Sequence, residues 1–198
     1  TIVTIGNESA GTKVFYLPVN MYYNYSLSRQ IYTADEINMP GGGTITSISF
    51  EYTSSAAFSL SGIQCYMKNV SKDYFEDVTD MVEVSPEYKV FEGTLAATGA
   101  GWVTLTLNTP FHYDGTSNLL VCLYDPTEGY PGQEYKFRVT TTNNDYPYNH
   151  LAISYYDDNI IPDLDNLDTY FGGNTYMFDY RANIRRTFNS TTTVTIDL

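Results

Sequence analysis

Apolar and polar residues alternate along much of this chain with the two-residue period of a β-strand. Every second residue is apolar over 103–107 and again over 137–139, which predicts strands with one buried face. Similar segments predict further strands at 1–5, 14–19, 28–33, 44–52, 61–70, 89–98, 150–156, 180–186 and 193–198. The run Leu-Leu-Val-Cys-Leu at 119–123 has no alternation, so we expect a central strand that is covered on both sides.

Helical patterns are few and short. Residues 33–37 offer a Thr cap followed by acidic residues, which favours one or two helical turns, and residues 71–82 could hold another short helix. No repeat period and no Pro/Ser-rich linker divides the 198 residues. Many short strands with almost no helix predict an all-β fold, one antiparallel β-sandwich domain over 1–198. Residues 186–198 are either its last strand or the start of a connection to a further domain.

The stretch 101–125 contains the one Trp of the chain and one of its two His residues. Within it, His112, Tyr113 and Asp114 precede Gly115, and Asp-Gly is a favoured turn pair because Gly accepts a positive φ. We therefore predict a hairpin loop between two strands. A Ser-His-Asp site is not indicated, since the chain has no G-x-S-x-G motif. Trp102 is interpreted as a structural cover.

The charge balance excludes two classes of partner. Ten basic residues stand against 23 acidic ones, for a net charge of −13, which repels nucleic acid and anionic lipid surfaces. No apolar run approaches the roughly 18 residues of a membrane span, so we expect no membrane insertion. The chain begins at Thr1, as a mature or trimmed product would, so the absence of a signal peptide does not argue for the cytoplasm.

The two cysteines cannot form a disulfide framework. Cys65 is in phase with Ile63 and Met67, and Cys122 lies in the apolar run, so both are predicted to be buried strand residues. Free core thiols are favoured. A single bridge stays open, provided that the two Cα atoms lie within about 7 Å. Neither pattern indicates a catalytic thiol, which is partly exposed beside a base.

Acidic residues crowd one stretch, 157–168. Carboxylate oxygens suit Ca²⁺, and the candidate calcium ligands are Asp158, Asp163, Asp165 and Asp168. The order of an EF-hand loop is missing, and a solvated acidic loop is the alternative interpretation. A zinc site is not indicated, because the chain has neither an H-E-x-x-H motif nor a C-x-x-C pair.

Aromatic residues suggest a different kind of site. The 20 Tyr exceed ordinary usage and cluster with Asn and Asp at 21–26, 143–150 and 154–159. Flat rings stack on sugars at low entropic cost, while amides and carboxylates hydrogen-bond sugar hydroxyls. The candidate ligand-binding residues are Tyr146, Tyr148, Asn149, Tyr155, Tyr156 and Asp157. The alternative is that most Tyr fill strand positions with their hydroxyls at the surface.

Four blocks occur in the order of a known module: YYNYSLSRQIYTADEI (22–37), GGTITSISF (42–50), the stretch 101–125, and YRANIR (180–185). Over about 1–186 the chain resembles the jelly-roll-like β-sandwich modules of secreted and surface proteins of Bacteroidetes. It is broadly similar to gingipain-type adhesin domains. The resemblance implies an extracellular accessory domain of a longer chain, with no catalytic motif to carry over. The calcium loops of those adhesins are not recognisable here.

We therefore expect a non-catalytic binding or adhesion module, secreted or displayed at the cell surface, whose partner is a glycan or a host or cell-surface protein. The glycan of a host mucin or a plant polysaccharide is favoured. The alternative is a structural spacer or protein-docking domain of a larger secreted protein such as a peptidase. A small hydrolase is a third hypothesis, and it requires a cleft with two facing carboxylates.

Overall fold

The alternating segments form two antiparallel β-sheets that pack face to face, as expected for a β-sandwich. A computed structural model describes residues 1–6, 12–80, 85–141, 150–163 and 174–189. Its elements are β1 Ile2–Ile5, β2 Thr12–Phe15, β3 Tyr25–Tyr32, α1 Ala34–Ile37, β4 Gly43–Tyr52, β5 Phe58–Val70, a 3₁₀-helix Pro86–Tyr88, β6 Lys89–Ala97, β7 Gly101–Tyr113, β8 Asn118–Asp125, β9 Phe137–Thr141, β10 Ala152–Asp157, β11 Thr175–Phe178, β12 Tyr180–Ala182 and β13 Ile184–Phe188. The strand predicted at 193–198 lies outside the described residues.

The two sheets differ in strand order. One has six strands in the order β11-β10-β3-β8-β5-β6. The other has seven, in the order β1-β13-β4-β9-β12, with β2 paired to β9 and β7 paired to β4. The two sheets also meet along one side, where the Glu92 N–H of β6 donates to Asn108 Oδ1 of β7 over 2.7 Å. Within the described ranges, no helix is both long and apolar enough to cross a lipid bilayer.

Strand β8 is covered on both sides, as its apolar run predicts. Leu119, Val121 and Leu123 point into the core between the sheets. Leu120, Cys122 and Tyr124 point the other way, into a second apolar cluster on the outer face of the six-stranded sheet. Each fully buried Leu contributes roughly 1.5–3 kcal/mol, so this strand anchors two cores at once.

Part of the cover of the second cluster is the segment after β5. Phe75 is fully buried, and its N–H donates to His150 O over 2.8 Å. The helix predicted for 71–82 is therefore wrong for residues 71–80, where Phe75 forms an isolated antiparallel bridge with His150 instead. The apolar spacing marks a buried contact made by an irregular segment.

The short helix predicted at 33–37 is confirmed as α1. Thr33 caps it in a capping box, with its backbone N–H donating to Glu36 Oε2 over 2.9 Å. Asn38 ends it in the left-handed region with φ 48°, a conformation that Asn tolerates better than most residues. Ile37 is its buried anchor.

The hairpin predicted around Asp114 is wrong. Strand β7 pairs with β4 in the seven-stranded sheet, whereas β8 pairs with β3 and β5 in the six-stranded sheet. The loop between them therefore crosses from one sheet to the other. Asp114 does make the predicted turn, because its Oδ1 accepts the N–H groups of Thr116 and Ser117 at 2.8 Å.

The two cysteines are both buried and free. Cys65 lies in the core between the sheets, whereas Cys122 lies in the second cluster, on the opposite face of the same sheet. Their side chains therefore point away from each other, and a disulfide bridge between them is excluded without backbone movement.

Candidate functional site

Five tyrosine rings form a continuous row at one end of the sandwich. We call it the tyrosine array; it consists of Tyr16, Tyr22, Tyr23, Tyr156 and Tyr176. Along the row, successive ring centroids are 6.0, 5.4, 4.4 and 5.4 Å apart, with interplanar angles of 20°, 82°, 36° and 12°. Most of these separations are typical of attractive aromatic pairs. The row is thus a packed surface, not a chance grouping of side chains.

Strand register places the two C-terminal rings of the array. In the pairing of β10 with β11, Tyr176 lies opposite Ser154. Tyr156 is two residues beyond Ser154 on the same face, so Tyr156 and Tyr176 are diagonal neighbours, a spacing that aromatic side chains can bridge. Opposite Tyr156 on β3 stands Ser26, and the small serines leave room for the two rings.

A turn before β3 places the other rings. Asn20 is buried and organises this turn: its Oδ1 accepts the Tyr22 N–H over 3.1 Å, and its own N–H donates to Ser26 Oγ over 3.2 Å. The Tyr16 hydroxyl donates to Gln133 O over 2.9 Å. These three hydrogen bonds mean that the array is held by polar contacts as well as by ring packing.

The array packs against further aromatic residues at Tyr16, and two of its other rings are exposed to solvent. Phe15 supports the array at Tyr16, because its ring centroid lies 5.4 Å from Tyr16, 5.1 Å from Phe178 and 5.0 Å from Tyr180. Tyr22 and Tyr176 are 43% and 42% exposed. Two rings of the array are therefore presented to solvent, while Phe15 packs against Tyr16 at one end of the row.

Hydrogen-bonding groups line the rim of the array. Asn24 joins two loops: its backbone N–H donates to Asp158 Oδ1 over 3.1 Å, and its Oδ1 accepts the Gly129 N–H over 2.9 Å. Asp158 also lies close enough to Tyr23 for its charge to raise the pKa of that phenol. Each carboxylate oxygen has more than one lone pair, so Asp158 can accept further hydrogen bonds from a ligand.

The ionisation states suit a neutral, polar ligand. Burial, together with the neighbouring Tyr176, raises the pKa of Tyr156 to about 12, and burial likewise raises the pKa of Tyr23. Both phenols are therefore protonated at neutral pH and able to donate. The Asn159 N–H leads the hydrogen bonds that hold the pKa of Asp157 below its ordinary value, so this carboxyl, on the opposite face of β10, is anionic.

The structure brings together some of the predicted ligand residues and separates others. Asp157 lies on the face of β10 opposite to the array, and Tyr156 belongs to the array. Tyr155, one residue earlier, points to the opposite face, is 1% exposed, and donates its hydroxyl to Ile160 O over 2.9 Å. Its ring is therefore not accessible to a ligand. Tyr146, Tyr148 and Asn149 lie outside the described residues.

Sequence reasoning did not find Tyr16 and Tyr176 as site residues. No local signal marks either of them, because Tyr16 reaches the array from the end of β2 and Tyr176 from β11, about 160 residues later. Only the pairing of β10 with β11 makes Tyr176 a neighbour of Tyr156.

The predicted calcium ligands are not assembled among the described residues. Asp158 accepts a hydrogen bond from the Asn24 backbone, while Asp163 follows Pro162, whose carbonyl oxygen accepts the Tyr124 hydroxyl on the outer face of the six-stranded sheet. Asp165 and Asp168 lie outside the described residues. In the described ranges, no group of three or more His, Cys, Asp or Glu residues is placed to hold a metal ion.

A cavity of about 760 Å³ lies at the other end of β3, beside α1. Glu36 lines it and is ion-paired with Arg181, whose Nη1 also donates to Ile31 O over 2.6 Å. Burial alone would raise the pKa of Glu36, but the Arg181 guanidinium outweighs it and lowers that pKa. A carboxyl that is held ionised in this way is poorly suited to the general-acid role of glycoside hydrolysis.

Fold and site together define an all-β, two-sheet sandwich with an aromatic surface at one end. No protein-family model matches this sequence, and no curated protein matches it either. The function is therefore inferred from the chemistry of the residues themselves.

Proposed function

We propose that this chain is a non-catalytic, extracellular binding or adhesion module whose tyrosine array binds glycan. The observation that carries the proposal is the row of tyrosine rings with two exposed members and a rim of fixed Asn and Asp groups. The resemblance to secreted and surface modules of Bacteroidetes supports an extracellular location within a longer chain. A host mucin or a plant polysaccharide is the favoured source of the glycan.

The chemistry of the array matches a sugar in two ways. Apolar C–H faces of a pyranose stack on flat aromatic rings, and Tyr supplies such rings with few rotatable bonds. The hydroxyls of the sugar then meet acceptors such as Asp158 and donors such as the protonated Tyr156 phenol. Because the net charge is −13 and the rim is acidic, neutral glycans should bind better than sulfated or sialylated ones.

A glycan array with wild-type protein, with and without EDTA, tests the proposal. We expect binding to neutral glycans in both conditions. Tyr22→Ala combined with Tyr176→Ala should weaken binding about tenfold or more, because each lost stacking contact is worth roughly 0.5–1.5 kcal/mol. Tyr74→Ala is the matched control: Tyr74 is also exposed, at 39%, but lines the cavity at the far end.

The result that overturns the proposal is equally definite. If the wild type binds no glycan with EDTA and none without it, the proposal is contradicted. An equal loss of affinity in the Tyr74 control and in the double variant contradicts it as well. Thermal unfolding of each variant, measured in parallel, separates loss of binding from loss of fold.

Docking to a protein is the second candidate, and one observation favours it. Ile160 and Ile161 are 60% and 50% exposed on the loop that follows β10. An apolar pair of this kind suits a contact with a neighbouring domain. If wild type binds no glycan, hydrogen exchange should show residues 160–161 protected in the longer polypeptide and unprotected in the isolated module.

A further inference from the structure

The side chain of Arg186 is a charged group enclosed in the core. It lies on β13 between Ile184 and Phe188, whose side chains face the same way into the space between the sheets. Its exposure is 0%. None of its three side-chain nitrogens has a hydrogen-bond partner in the part of the chain that the structure describes. A buried guanidinium with five N–H donors and no acceptor is exceptional, because almost all buried polar groups are hydrogen-bonded.

The polar groups that influence Arg186 are already engaged. The Tyr32 hydroxyl donates to Ala182 O over 2.8 Å, and the Tyr113 hydroxyl donates to Ser117 O over 2.8 Å. Glu36 is paired with Arg181 and also accepts from the Thr33 backbone. None of these groups accepts a hydrogen bond from Arg186.

The charges of this cluster do not balance. Arg181 and Arg186 carry two positive charges, and Glu36 carries one negative charge, which leaves one positive charge over. Burial lowers the pKa of Arg186 to about 10, so the side chain is still protonated at neutral pH. An uncompensated charge in a core is strongly destabilising, because it loses hydration and receives nothing in return.

We propose that Arg186 holds a small monovalent anion, chloride being its representative, between the two sheets beside Tyr32 and Tyr113. A single negative charge balances the cluster, and a spherical acceptor can take several N–H bonds of one guanidinium. Water accepts hydrogen bonds but leaves the charge uncompensated. Large anions are disfavoured because the site is enclosed by Ile184, Phe188 and the opposing sheet.

Two measurements test the site directly. In crystals grown with bromide in place of chloride, an anomalous peak should appear at the Arg186 guanidinium. In solution, replacing gluconate by chloride at constant ionic strength should raise Tm by about 5–10 °C once chloride reaches a hundred times its dissociation constant. Constant ionic strength matters because the net charge of −13 makes the fold sensitive to general screening.

Variants assign the effect to Arg186. Arg186→Met keeps the length of the side chain and removes its charge, so we expect it to remove both the bromide peak and the chloride dependence. Arg185→Met is the matched control, because Arg185 is the adjacent arginine and stacks on Trp102 at 3.9 Å on the outer face; it should retain both.

Three outcomes overturn the proposal. The first is that wild-type crystals show no bromide peak and that the Tm of the wild type does not change with chloride concentration. This result would mean that water satisfies the hydrogen-bond donors of Arg186. The second is a chloride dependence that persists in Arg186→Met. The third is a bromide peak that lies only at surface residues. The presence or absence of a bromide peak at Arg186 in wild-type crystals is decisive by itself. The test therefore holds even if Arg186→Met does not fold.

Discussion

The ring of Tyr156 lies almost parallel to that of Tyr176, with an interplanar angle of 12° and centroids 5.4 Å apart. The ring of Tyr155, one residue earlier, is buried on the opposite face of the same strand. Since successive side chains of a strand point to opposite faces, these consecutive tyrosines have different roles. Tyr155 stabilises the second apolar cluster, and Tyr156 belongs to the array surface.

Substitutions should separate these two roles. Tyr155→Ala should lower the free energy of unfolding by about 3–5 kcal/mol, as for other buried aromatic side chains. Tyr155→Phe should lose only the hydrogen bond to Ile160 O, about 1 kcal/mol. Tyr176→Ala should cost about 1 kcal/mol, because its ring is 42% exposed. Urea denaturation measures all three, and equal losses for Tyr155→Ala and Tyr176→Ala would contradict the assignment.

Burial governs the chemistry of both cysteines. It raises the pKa of the Cys122 thiol to about 11 and that of Cys65 well above its ordinary value, so neither is a thiolate at neutral pH. We expect both thiols to react slowly with Ellman's reagent in the native protein and at once in urea. Two thiols should titrate in urea without reductant, because the opposed faces prevent a bridge. A protein that yields none, with a mass two daltons lower, would contradict this.

Local patterns predicted the strands of the sandwich well, because the order of apolar and polar residues within a strand indicates which of its faces are buried. The unbroken apolar run at 119–123 indicated a strand buried on both faces, and the two clusters confirm it. Thr33 followed by acidic residues likewise indicated α1, and the structure shows a capping box between Thr33 and Glu36, three residues apart. Each of these signals is complete within a few residues.

Local sequence does not show in the same way which strands pair with each other. Asp114-Gly115 predicts a turn whatever the flanking strands pair with, and β7 and β8 pair in different sheets. The array has the same origin, since its rings come from the end of β2, from the turn before β3, from β10 and from β11. Non-local pairing brings these residues together, and no short segment of sequence contains it.

The loop that joins the sheets depends on close backbone packing at Gly115. This residue has φ +86°, and a Cβ there would lie 2.5 Å from Gly42 N and 2.6 Å from Pro40 O. Gly115→Ala should therefore combine backbone strain with a clash against main-chain atoms that cannot rotate away. We expect the free energy of unfolding to fall by more than about 2 kcal/mol in chemical denaturation.

Gly129 provides the control for this prediction. It also has a positive φ, +107°, but nothing lies within 4 Å of a Cβ built there. Gly129→Ala should therefore show the strain alone, about 1–2 kcal/mol. If both variants lose the same free energy, the contact between the loops at Gly42 and Gly115 contributes nothing.

Asp125 should make stability depend on pH in an unusual direction. It lies at the end of β8, is 2% exposed, and burial raises its pKa to about 6, against hydrogen bonds from Thr127 that lower it. The folded protein thus binds this proton more tightly than the unfolded chain does. The contribution of Asp125 to stability is therefore best below about pH 4, falls as pH rises toward 6, and stays low above that.

Asp125→Asn removes this titration and tests its sign. The variant should equal the wild type near pH 4 and exceed it in stability at pH 7 by about 1–3 kcal/mol, from 1.36 kcal/mol per pKa unit. Asp114→Asn should behave oppositely, because hydrogen bonds from Ser117 and Thr116 lower the pKa of Asp114 to about 2. That variant should be less stable than the wild type at pH 7, and its deficit should shrink as pH falls below 4. Urea titrations from pH 3 to 8 measure both curves, and a pH-independent difference for Asp125→Asn would show that its carboxyl titrates normally.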